Sequence, residues 1–211
     1  MHKLHILILI LLFPIIAISQ TAPTELIKNT NLHHPNIICH FSQQRHTIAL
    51  DKVENLKGTL YFSAKDRMSM HYMQPITDLL VINGDQFYMA SGKRKNLFNI
   101  SNNTPMRSIA HLLLNSMSGD IKAIEQETGA IMKYTEDSNY HIFTFTQTKQ
   151  QRRGYRTVIL KYAKSDLLLH FMCLEEFSGN YNTYTLTNHN FQTPSADKYV
   201  VPKSKLSLFF S

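Results

Sequence analysis

The chain has 211 residues, 43% of them hydrophobic and 18% charged, with seven Gly and seven Pro, a make-up that excludes a disordered tail and a low-complexity or collagen-like polymer. Its formal charge of +7 is modest for this length and does not by itself make a nucleic-acid binder. Trp is absent, while 12 Phe, 10 Tyr and 9 Met favour strands and soft apolar surfaces over a simple helical bundle.

Residues 1–19 read as a signal peptide, with His2 and Lys3 before an apolar run from Ile6 to Ile16 and the small residues Ala17 and Ser19 where a signal peptidase reads. The run falls short of the ~20 residues a spanning helix needs, and it contains Pro14. Cleavage near Ser19 leaves residues 20–211, about 192 in all, as a single domain outside the cytoplasm.

From Pro23 to about His40 the spacing of Leu26, Ile27, Leu32 and Ile37 predicts a helix, interrupted at Pro35. Strands follow at Phe41 to Leu50, Thr59 to Ser63 and Arg67 to Met73. In the last of these Met68, Met70 and Tyr72 share one face and Arg67, Ser69 and His71 the other, the pattern of a half-buried strand. Asp78 to Ile82 and Gln86 to Ala90 flank Asn83-Gly84-Asp85, a strong hairpin signal. Thr104-Pro105 then opens a helix with Met106, Ile109, Ala110, Leu113 and Met117 toward one side. Strands resume at Ala130 to Glu136, Tyr140 to Gln147, Tyr155 to Tyr162, Leu167 to Phe177 and Tyr181 to Asn188. Short turns between about ten strands exclude a parallel sheet, because parallel pairs need long crossovers. A sheet this wide curls toward a barrel, and the inserted helix must bury its stripe against the concave face.

Chemistry-bearing patterns are few. His33, His34, His40 and His46 lack the spacing and carboxylate partners of a metal site, so no metal is expected. There is no Gly-x-Ser-x-Gly elbow, and Gly92-Lys-Arg-Lys lacks the remainder of a phosphate loop; an enzyme is not expected, nor a cofactor. Glu175 and Glu176 point to opposite faces of a strand and cannot act as an acid/base pair. Lys149, Arg152, Arg153 and Arg156 are either a patch for anionic headgroups or an acidic partner, or a solvated turn. Cys39 and Cys173 either pair, as export permits, or stay free among apolar neighbours. Met68, Met70 and Tyr72, with Phe87 and Met89, either line a cavity or form plain core.

Several of these segments together resemble the LolA-like periplasmic lipoprotein carriers. Gly58 to Pro75, with its glycine-led strand and Gln-Pro turn, and Asp78 to Asp85, with its Asn-Gly hairpin, are similar to that family's second to fifth strands. Phe41 with Gln43 and Gln44 matches a Phe-x-Gln in the first strand, Asn103-Thr-Pro105 the start of the lid helix, and Asp197 to Pro202 the closing segment. The resemblance implies a mainly β (α+β) fold, a large curved antiparallel sheet forming an unclosed β-barrel with a helical lid. It implies a carrier whose apolar cavity takes the acyl chains of lipoproteins on their way from the inner to the outer membrane. Cavity residues would be Met68, Met70, Tyr72, Phe87 and Met89, with Met106, Ile109 and Leu113 on the lid. Implied partners are acylated lipoproteins, an inner-membrane lipoprotein-releasing transporter and an outer-membrane receptor for a monomeric carrier; nucleic acid is disfavoured separately, by export and by the lack of a recognition helix or aromatic-basic motif. Where many carriers have an Arg before a Pro that fastens the lid, this chain has Ala64 and Lys65, leaving Lys65 or Arg67 as substitutes. A lipid-binding sensor or regulator on the same scaffold, or a carrier of another acylated lipid, is the alternative.

Overall fold

In a computed structural model, residues 22–64, 66–73, 78–147 and 155–202 are described. The leader, Lys65, the Gln74-Pro75 turn and the basic residues Lys149, Arg152 and Arg153 lie outside them.

The first helix, α1 (Pro23–Leu32), stops eight residues short of the expected end, and β1 (Asn36–Thr47) starts where helix was expected to continue. Pro35 disfavours a helical residue before it, and the β-branched pair Ile37-Ile38 then prefers extended backbone. After a single 3₁₀ turn at Ile48–Leu50 come β2 (Lys52–Ser63), β3 (Arg67–Met73), β4 (Leu79–Asn83) and β5 (Gln86–Ser91). The β4–β5 turn is as expected, with Gly84 at φ 54°. A strand that the basic text of Gly92 to Lys95 hid, β6 (Arg94–Asn99), precedes α2 (Thr104–Ser118). Asn103 caps α2 by accepting from the Met106 amide at 3.1 Å, and Gly119 ends it in the left-handed region at φ 69°. Asp120 then caps a further, unanticipated helix, α3 (Ile121–Thr128), through the Ala123 amide at 3.3 Å. The chain finishes with β7 (Ile131–Glu136), β8 (Tyr140–Thr146), β9 (Tyr155–Ala163), β10 (Leu169–Glu176), β11 (Tyr181–Asn190) and a 3₁₀ turn at Ala196–Tyr199.

All eleven strands form one sheet in the order β6-β5-β4-β3-β2-β1-β11-β10-β9-β8-β7, antiparallel at every step. Two meanders, β1–β6 and β7–β11, are joined by the pairing of β1 with β11. The two edge strands β6 and β7 do not pair, so the barrel is unclosed. The three helices pack against the concave face, and one continuous core joins them to inward residues of the sheet, among them Phe41, Leu60, Met68, Ile82, Phe143, Leu160 and Leu174.

β3 is not half-buried, as its alternation suggested. Ser69, on its outer face, is fully covered, because the closing segment crosses there. His71 Nε2 lies 3.0 Å from the Lys198 carbonyl, Asn83 Nδ2 donates to the Tyr199 carbonyl at 3.1 Å, and Val81, Tyr88 and Ala90 form a small second core beneath it. The two cysteines are free. Cys39 points inward from β1 and Cys173 outward from β10, with β11 between them, so opposite faces of the sheet keep the thiols apart. Burial pushes the Cys39 thiol up to about 12, leaving it unreactive.

Gly58 of β2 sits opposite both Phe41 of β1 and Tyr72 of β3. A Cβ there would lie 2.6 Å from Phe41 Cζ and would also collide with the His71 carbonyl oxygen. The missing side chain lets the Phe41 ring lie across β2, edge-on to Tyr72 at 4.9 Å and to Tyr184 at 6.4 Å. Gly58→Ala is therefore expected to destabilise the fold by about 1–3 kcal/mol through overpacking, measured as a lowered urea midpoint at unchanged slope.

Candidate ligand-binding cavity

Inward side chains change character along the strands. At one end Ile37, Phe62, Met68 and Ile82 meet the helices in solid core; at the other, the face of β1 continues from Phe41 to Gln43 and Arg45. Between that second end and α2 lies a cavity of 290 Å³. Met70, Leu80, Phe87 and Leu174 from the sheet and Ile109 and Leu113 from α2 form its apolar wall. Its mouth is polar, built from Gln43, Arg45, Asp78 and Asn182 together with Tyr72 and Tyr184. On the other flank of Ile109, beside Leu112, Phe145 and Val158, a void of 30 Å³ has room for about one water. A 640 Å³ groove on the convex face, with Ser42, Gln44, Lys57 and Thr183 along it, is polar and shallow by comparison.

Six of the eight expected cavity and lid residues come together here: Met70, Tyr72, Phe87, Met89, Ile109 and Leu113. Met70 and Phe87 are almost fully buried, whereas Met89 is 42% exposed at the open side. Met68 is not on the cavity wall; it is sealed in the core between Phe62 and Ile82. Met106 packs at the edge of the core near the start of α2. Arg67 projects from the face of β3 away from α2, with its guanidinium 5.3 Å above the Tyr199 ring.

The residues that sequence reasoning missed are mostly the polar ones. Gln43 and Arg45 could have been found by parity with Phe41 on β1, and Asn182 and Tyr184 by parity on β11. Asp78 is 4% exposed; its Oδ1 accepts from the Gly92 amide at 2.8 Å and its Oδ2 from the Ser91 hydroxyl at 3.0 Å. Arg45 donates to Glu54 at 3.3 Å and reaches Asp78 at 3.8 Å. Glu176 stands on the rim, while Glu175, on the outer face, pairs with Arg156. The expected separation of the two glutamates is thus found.

α2 is held unequally. Toward its C-terminal end Leu112, Leu113, Leu114 and Met117 are buried, and the Tyr162 hydroxyl of β9 donates to the Ser116 carbonyl at 2.7 Å. The corner at Gly119 lies against Ile27 and Asn31 of α1, and Asn31 Nδ2 bonds the Ile27 and Leu167 carbonyls at 2.8 and 3.0 Å. Toward its N-terminal end, Met106 and Ile109 are only partly buried.

An open antiparallel half-barrel covered by helices, with an apolar cavity between the two layers, defines a class of binding proteins. The chain belongs to the outer membrane lipoprotein carrier protein LolA family, whose model matches residues 36–201. Among curated proteins none matches it. In solved structures it is similar to an uncharacterized conserved protein from Thermus thermophilus (TM-score 0.51, 8% identity, covering 85% of this chain and 93% of that one). It is also similar to a putative outer membrane lipoprotein-sorting protein domain from Vibrio parahaemolyticus (TM-score 0.46, 11% identity, 84% and 94%). A third similar structure is the MucA/MucB complex of Pseudomonas aeruginosa (TM-score 0.47, 11% identity, 85% of this chain but 60% of that one).

Burial pushes the Tyr72 hydroxyl up to about 12 and raises that of Tyr184 as well, Arg45 opposing both shifts. The folded state therefore holds these protons more tightly than the unfolded chain, whose tyrosines titrate near 10. Stability should be unaffected by these groups below pH ~10 and fall as pH rises from ~10 through ~12. Circular dichroism and phenolate absorbance followed together across that window would check this, and Tyr72→Phe should flatten part of the fall.

Proposed function

We propose that this protein is an exported carrier which holds the acyl chains of lipoproteins in the cavity under α2 and moves them through the periplasm from the inner to the outer membrane. The observation that carries the reading is the apolar cavity beneath a helix fixed at one end. Family membership supports the cargo class. A buried methylene is worth ~0.8 kcal/mol, so an acylated anchor needs cover wherever it meets water. The cavity is at the lower limit of the ~300–1,000 Å³ typical of ligand pockets, so a multiply acylated cargo requires the lid to lift. Met106 and Ile109 form the looser end, and α2 swings about the Gly119 corner held by Tyr162 and α1. Because few buried groups separate the two states, closed and open forms differ by a few kcal/mol, which permits release as well as loading. Loading by an inner-membrane transporter and delivery to an outer-membrane receptor complete the proposed route, with residues 1–19 directing export and the remainder acting as one domain.

Mass spectrometry of the protein purified with its native ligand tests this. Recovery of acylated lipoproteins is the expected result; a free lipid, or no ligand under conditions that retain such cargo, would overturn it. Met70→Asp, which places a carboxylate on the apolar wall, should leave the exported protein folded by circular dichroism and reduce recovered cargo at least about tenfold. Unchanged recovery would remove Met70 from the binding surface.

A further inference from the structure

The polar mouth of the cavity contains one group whose bonding is incomplete. Gln43 is 2% exposed, and its Nε2 donates to Asn182 Oδ1 at 2.7 Å, which orients the amide. Its Oε1 is buried and has no partner. Buried carbonyl oxygens are nearly always bonded, and a lone one beside a cavity is an acceptor site for a donor from water or from a ligand. Tyr72, Tyr184 and Arg45 border the same mouth; the Tyr184 hydroxyl donates to that of Tyr72, which leaves the Tyr72 hydroxyl and the Arg45 guanidinium as donors. Arg45 donates to Glu54 at 3.3 Å and lies 3.8 Å from Asp78, which leaves other N–H groups of its guanidinium for a ligand. Charge at the rim is balanced, with Arg45 and Arg94 against Asp78 and Glu176, so a bare anion has no net field to draw it in.

A head group suited to this mouth is neutral, offers one N–H or O–H donor and one carbonyl acceptor, and is joined directly to an apolar tail. An amide-linked acyl chain has these features. An ester has the acceptor but lacks the donor, and a fatty acid carboxylate has acceptors only and a charge. We propose that Gln43 is a specificity residue that accepts the N–H of an amide-linked acyl chain, whose carbonyl meets Arg45 and the Tyr72 hydroxyl while the tail lies along Met70, Phe87 and Leu113. This assignment rests on the lipid-binding reading and narrows it to N-acylated ligands.

The test is displacement of a fluorescent fatty-acyl probe from the full mature protein by two neutral ligands that differ in one atom, N-methyldodecanamide and methyl dodecanoate, with dodecanoate as a third. The amide should bind about tenfold more tightly than the ester, the difference one buried acceptor left unpaired makes. In Gln43→Met the two should agree within about twofold. Equal affinities in the unaltered protein, retention of the preference in Gln43→Met, or dodecanoate binding more tightly than the amide would each overturn the proposal, the last in favour of an anion site at Arg45. The comparison of ligands on the unaltered protein decides the matter even where Gln43→Met fails to fold. If no acyl probe binds at all, the carrier reading falls with it, whereas tight binding of amide and ester alike leaves that reading standing and removes this one.

Discussion

Chain continuity places the lid. The first meander runs outward from β1 to the sheet edge at β6, and the second begins at the opposite edge, β7, and runs back until β11 pairs with β1. The segment between Asn99 and Ile131 must therefore travel from one edge of an eleven-stranded sheet to the other. The concave face is apolar and cannot remain in water, so the crossing segment is helical, satisfies its own backbone bonds and lays its apolar stripe on that face. Covering the core and closing the cavity are consequences of one topological requirement.

That cover is graded along α2. At the α2–α3 corner the apolar burial is complete and is reinforced by the Tyr162 and Asn31 hydrogen bonds; about 25 cal/mol per Å² of buried apolar surface makes that end expensive to lift. At the Met106 end less surface is covered, and farther along α2, under Ile109 and Leu113, the inner face turns from packed core to cavity. Hydrogen-bonded polar groups finish the inner face of β1 and β11, so the cavity is an apolar trough with a polar lip. Soft Met and Phe side chains on its walls can adjust to flexible guests with little strain.

Gly58 shows how narrowly the trough is set. Its hydrogen is all that separates the Phe41 ring from the backbone of β2, and the ring in turn packs edge-on to Tyr72 and Tyr184 at the mouth. The convex side has its own strap, the closing segment over β3 and β4, so the half-barrel is stiffened from outside while its inside stays partly unfilled.

Most of this architecture was legible in the sequence, because strand alternation and turn residues are local signals. Arg67 to Met73, the Asn83-Gly84 hairpin and the Pro105 helix start all express backbone preferences of the residues themselves. β6 and α3 were missed for a local reason too, since charged or mixed text at a sheet edge or on a short helix carries little periodicity. Met70, Tyr72 and Phe87 were identifiable as inward residues, but parity cannot say whether an inward residue meets core or cavity, and Met68 went the other way from Met70 two positions later. That distinction belongs to tertiary structure, which decides where the helices end along the strands. It alone brings Gln43, Arg45, Asp78, Asn182 and Tyr184 to one mouth, because β1, β4 and β11 meet there only through the curvature of the sheet and the long-range pairing of its first strand with its last.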